Sequence, residues 1–143
     1  RSGTLSYEVS INLAKGGYGQ STVVGIGADP VVFTSMSELL RLFEKDPETD
    51  LMVIVGEVGG IREEKAAEFI DRWITKPVVG YIAGLNAPEE KRMGHAGAII
   101  RGDGKGTPHS KTAALTEVGV DVARYPAQVV DLVRKHLTPD GKH

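Results

Sequence analysis

Short apolar runs alternate with amphipathic stretches along almost the whole chain, and this alternation constrains the fold more than any other feature. The run Thr22-Val23-Val24-Gly25-Ile26 is rich in β-branched residues, 51–55 is continuously apolar, and 77–83 and 120–123 are further strand-like runs. Leu5, Val9 and Leu13 repeat every four residues ahead of Gly16-Gly17, which predicts a helix stopped by glycine. Ser35 and Glu38 form a capping box before Met36, Leu39, Leu40 and Phe43. Ala66, Ala67, Ile70 and Trp73 make the stripe of a third helix. A fourth runs from Lys111 to Val118, entered through Thr107-Pro108 and closed by Gly119, and a fifth carries Pro126, Val130, Val133 and Leu137 before a frayed tail at Pro139-Asp140-Gly141.

Strands separated by helices of about ten residues need crossover connections, so the expected fold is a doubly wound, flavodoxin-like α/β domain with a mostly parallel sheet and helices on both faces. With 143 residues, 41% of them hydrophobic, one such domain has enough apolar material for a core. In this architecture reactive groups gather at the carboxyl ends of strands, which directs attention to the loops after Gly27, Gly56, Gly84 and Arg92.

Composition removes several chemistries. The chain has no cysteine, so thiol nucleophiles and disulfides are excluded. A net charge of -2 with interspersed signs gives no electrostatic footprint for nucleic acid or an anionic membrane, and no stretch approaches the roughly 18 apolar residues of a membrane span. The four histidines are too scattered to suggest a metal cluster. The first residue is Arg1, so a targeting segment is not legible at the N-terminus.

Three features can carry chemistry. In Arg92-Met93-Gly94-His95-Ala96-Gly97-Ala98-Ile99, small neighbours leave one imidazole accessible, and a neutral imidazole is a good nucleophile toward phosphorus near neutral pH. In Gly56-Glu57-Val58-Gly59-Gly60, a carboxylate follows a buried strand, where it can fix a histidine tautomer. Ser2, Gly3 and Thr4 open a helix whose free N–H groups and dipole favour an anion. Taken singly, each also has an ordinary reading: a solvated histidine, a carboxylate capping the helix near Arg62, and N-capping by Ser2 or Thr4. Gly102-Asp103-Gly104-Lys105-Gly106-Thr107 fails the Walker spacing and reads as a flexible connection, Asp29-Pro30 carries little, and His109, His136 and His143 read as surface residues.

Together, Arg1-Ser2-Gly3-Thr4-Leu5-Ser6-Tyr7-Glu8, Val24-Gly25-Ile26-Gly27, the Glu57 motif, Lys76-Pro77-Val78-Val79 and the His95 motif resemble the succinyl-CoA synthetase α subunit, in the same order from Arg1 to about Leu137. The resemblance implies a CoA-ligase domain in which His95 is phosphorylated during turnover, Glu57 is its carboxylate partner, Ser2, Gly3 and Thr4 hold the phosphoryl group, and Tyr7 lies near the acyl substrate. It implies succinate or succinyl-CoA, phosphate, CoA and ATP or GTP with Mg, most of them held by a β subunit and by an N-terminal CoA-binding Rossmann domain. That domain is absent from this chain, as is the strand that should lead into Arg1, so the sheet is expected to have a gap and the isolated piece to be inactive. The implied compartment is the bacterial or archaeal cytoplasm, or the mitochondrial matrix in a eukaryote. Malate–CoA ligase and ATP-citrate lyase share the histidine context, and a noncatalytic flavodoxin-like binding module is the alternative of a different class.

Overall fold

A computed structural model of the chain describes residues 1–29, 31–85 and 104–138. Helix α1 (Gly3–Lys15) buries Val9 and Leu13 and ends where Gly17 takes a positive φ of 86°. Helix α2 (Met36–Lys45) starts at the expected box: the Ser35 side chain accepts from the Glu38 N–H, and Glu38 accepts from the Ser35 N–H at 2.8 Å. Strand β1 (Met52–Gly56), helix α3 (Arg62–Trp73) and strand β2 (Val78–Ile82) follow. Helix α4 (Pro108–Glu117) has Thr107 as N-cap and proline in its first turn; strand β3 (Asp121–Ala123) and helix α5 (Gln128–Leu137) complete the order.

The strands pair in parallel as β1-β2-β3, with Met52 opposite Val78 and Val79 opposite Asp121. Because side chains alternate across a strand, the sheet feeds two separate cores. Met52, Ile54, Val78 and Ile82 meet α2, α3 and Leu115 of α4, while Val55, Val79 and Ala123 meet Val9 and Leu13 of α1 and Val129 and Val133 of α5. Helices therefore cover both faces, as the doubly wound reading expects.

Three local expectations need correction. Residues 22–26 form no strand, and Thr22, Val23 and Val24 are exposed. A strand requires a ladder partner, and here β1 is not the neighbour: residues of the segment (Thr22, Val24, Ile26) and of β1 (Val53, Val55) line a common groove of about 230 Å³ instead. Trp73 continues the sequence stripe of α3 but lies at the helix end, 67% exposed, so the stripe that packs is Ala66, Ala67 and Ile70. On α5 the buried residues are Val129 and Val133, and Leu137 emerges at the last turn.

Pro30, the His95 motif within residues 86–103 and the tail 139–143 lie outside the described residues. Among the described residues no helix is long and apolar enough to cross a membrane.

Candidate functional site

The carboxyl end of β1 runs directly into the Glu57 loop, where Gly59 and Gly60 both adopt positive φ. Glu57 is buried, with a side chain 9% exposed, so it does not serve as a solvent-facing cap; α3 opens at Ile61 without any side-chain cap. Its environment is set by Arg1. The Arg1 guanidinium, itself 1% exposed, places Nε 3.8 Å from Glu57 Oε1, and Nη1 donates to the Glu57 and Gly59 carbonyl oxygens and to Glu63 Oε1.

Arg1 immediately precedes the N-cap of α1, so these bonds fasten the helix tip to the Glu57 loop. Ser2 is the N-cap by backbone geometry, yet its side chain caps nothing, and the space beside Gly3 is open. The first-turn amides of α1 are thus not taken up by a side-chain cap, the condition an anion-binding tip needs. Tyr7 stands on the same helix, 72% exposed. The structure brings Ser2, Gly3 and Thr4 together with Glu57; His95 lies outside the described residues.

A buried ionic joint that the sequence motifs do not mark supports this arrangement. Glu63 and Lys111 are fully buried and form an ion pair, and Lys111 Nζ is 3.4 Å from Glu64 Oε2. Glu63 Oε1 also accepts from the Glu57 backbone N–H at 3.2 Å. Glu64 Oε1 accepts from the Gly106 N–H and the Ser110 hydroxyl, each at 2.9 Å. The Gly59 N–H donates to the Gly106 carbonyl at 2.8 Å, and a Cβ on Gly106 would stand 2.8 Å from the Gly60 oxygen. Residues 104–107, expected to be a flexible connection, are therefore pressed against the Glu57 loop. A signal for the joint was present in the sequence: Glu63 shares helical spacing with Ala66, Ala67 and Ile70, and Lys111 with Ala114, Leu115 and Val118, so each puts a charge on an apolar stripe.

Two further histidines lie among the described residues. His109 is exposed. His136, expected at the surface, is only half-exposed, and its Nε2 lies 2.9 Å from Asp121 Oδ2, which also accepts from Lys135. His143 lies outside the described residues.

A family model described as CoA-ligase matches residues 1–120. The chain belongs to the CoA-ligase family. This CoA-ligase chain is 58% identical over 137 residues to the ADP-forming succinate–CoA ligase subunit alpha 2 of Archaeoglobus fulgidus, covering 96% of itself and 47% of that protein. It is 52% identical to the corresponding alpha subunit of Aquifex aeolicus, again over 96% of its own length and 45% of the relative. An ADP-forming sulfoacetate–CoA ligase subunit of Bilophila wadsworthia is 48% identical, covering 96% of this chain and 47% of that one. Among solved structures, an ATP citrate lyase from Methanosaeta concilii superimposes with a TM-score of 0.80 at 25% identity, over 99% of this chain and 25% of that chain. The CoA-ligase chain thus spans about half the length of the curated relatives it matches.

Proposed function

We propose that this chain is the phosphohistidine-bearing domain of a succinate–CoA ligase α subunit, interconverting succinyl-CoA, phosphate and a nucleoside diphosphate with succinate, CoA and the triphosphate. The observation that supports it most directly is the Arg1 bridge, which sets an uncapped helix tip beside a buried glutamate at the carboxyl edge of a parallel sheet. A phosphoryl relay needs those two parts around a nucleophile. In the forward direction phosphate oxygen attacks the thioester carbonyl, CoA leaves as the thiol, and succinyl phosphate forms. A ring nitrogen of His95 then takes the phosphoryl group and releases succinate. Glu57 accepts the proton-bearing side of the ring, which leaves the opposite nitrogen's lone pair free and stabilises the charged phosphohistidine. The α1 amides of Gly3 and Thr4 hold the phosphoryl oxygens, with Tyr7 toward the acyl end. A nucleoside diphosphate finally accepts the group from His95.

ADP is the favoured acceptor, because the similar ligases bear ADP-forming names. The acid is succinate on the weight of the 58% and 52% relatives, and the sulfoacetate ligase at 48% supplies the second reading, an acid of similar size with a different terminal anion. Magnesium does not fit at the Arg1 joint: Glu57, Glu63 and Glu64 already face Arg1 and Lys111, and no group of three His, Cys, Asp or Glu among the described residues could hold a metal ion. Nucleotide and magnesium belong to a β subunit in this reading, and CoA to an N-terminal Rossmann domain.

We further place the chain inside a longer subunit. The chain spans about half the length of the curated relatives it matches, and the β1 edge away from β2 lines a groove that a further strand would fill. The test is incubation of the full complex with phosphate-labelled ATP. Acid-labile, base-stable label should appear on His95. A His95→Asn variant that accepts label at the full rate would overturn the relay, and Glu57→Gln should slow labelling while the fold stays intact.

A further inference from the structure

Lys111 and Glu63 are the feature that neither the fold nor the relay explains. Ionised groups withdrawn from water are a net burden unless fully paired, and an apolar pair of similar volume is often as stable. Here the bonds of the cluster tie together two loops, the α1 tip and the first turn of α4. Glu63 receives the Glu57 backbone N–H and the Arg1 guanidinium, and Lys111 joins Glu63 to Glu64, which receives the Gly106 N–H and the Ser110 hydroxyl. The Glu57 loop and residues 104–107 then close on one another through Gly59 and Gly106. Residues 104–107 directly follow the segment that carries His95.

We propose that Glu63 and Lys111 are positioning residues for phosphoryl transfer, fixing Glu57 in register with the chain that leaves the His95 segment; this rests on the relay reading above. The contact that carries the effect is the bond from the Glu57 N–H to Glu63, which fixes the backbone from which the Glu57 carboxylate projects. Arg1 adds the α1 tip to the same frame, so one buried cluster aligns both supports of the relay.

The experiment uses the complete complex, labelled with ATP under single-turnover conditions. The double variant Glu63→Leu/Lys111→Met removes one charge of each sign and should melt within about 5 °C of the parent. Its labelling of His95 should nonetheless slow about tenfold with KM for ATP unchanged. In a Glu57→Gln background the double change should cause no further loss, because its effect runs through that carboxylate. A companion variant, Glu63→Gln/Lys111→Met, keeps an acceptor for the Glu57 N–H and should recover most of the rate whatever its melting temperature. Rates that track melting temperature across these variants, or losses that multiply with Glu57→Gln, overturn the positioning role. A parent complex that takes no label on His95 would instead sink the relay reading, and this proposal with it.

Discussion

At the residue scale, Gly59, Gly60 and Gly106 at the joint all take positive φ, and Gly106 is also held by a close approach. Gly106 combines a positive φ of 85° with a backbone oxygen 2.8 Å from where its Cβ would be, so Gly106→Ala should destabilise the protein by about 1–3 kcal/mol, read as a lower urea midpoint at unchanged slope. Lys111→Ala is a harsher change, since it leaves Glu63 buried opposite Arg1 alone; a loss of about 3–5 kcal/mol is expected by the same measurement. These residues also show where the sequence was legible. Glu57 and the α1 tip could be picked out because glycines and small residues mark places where a ligand or backbone must come close. Glu63 and Lys111 could not be assigned a purpose, because a charge on an apolar stripe shows only that it will be buried, while its partner depends on which helix faces it. The side chain at position 95 was marked by its small neighbours and given its role by the family resemblance.

Among the elements, capping and stop signals translated directly into boundaries, since they act within one turn of chain. Ser35→Ala removes the side-chain half of the α2 box, the acceptor of the Glu38 N–H, and should cost about 1 kcal/mol, visible as a reduced melting temperature. The run at 22–26 failed as a strand for a nonlocal reason: β propensity is expressed only against a neighbour, and its groove-side neighbour position holds no strand among the described residues. In β1, the Met52 N–H and the Gly56 carbonyl bond toward β2, so the backbone N–H and carbonyl groups of Val53 and Val55 face the open edge while the Val55 side chain stays in the core. Their amides should therefore exchange with deuterium faster than that of Met52 in this chain. A third test at this scale joins β3 to α5. The hydrogen bond from Lys135, and a smaller contribution from His136, hold the Asp121 carboxyl below the usual range against partial burial. A depressed carboxyl pKa stabilises above the unfolded value of about 3.9 and loses that contribution as pH falls through the folded value. The melting-temperature gap between the parent and Asp121→Asn should accordingly be present near about pH 6 and close on acidification.

For the whole molecule, the two cores and the carboxyl-edge site follow from one arrangement: parallel strands deliver their loops to a common rim, and helices above and below shut out water from both sides. That much was readable from alternation, because period and punctuation are properties of the chain itself. The open side of β1 was legible only from family likeness, since a gap is defined by what should fill it. It also has a colloidal consequence. An outward rail of amides and carbonyls beside an oily trough is an adhesive seam, so this length of polypeptide should self-associate as its concentration rises, and a lysine placed on that rail should cure the stickiness.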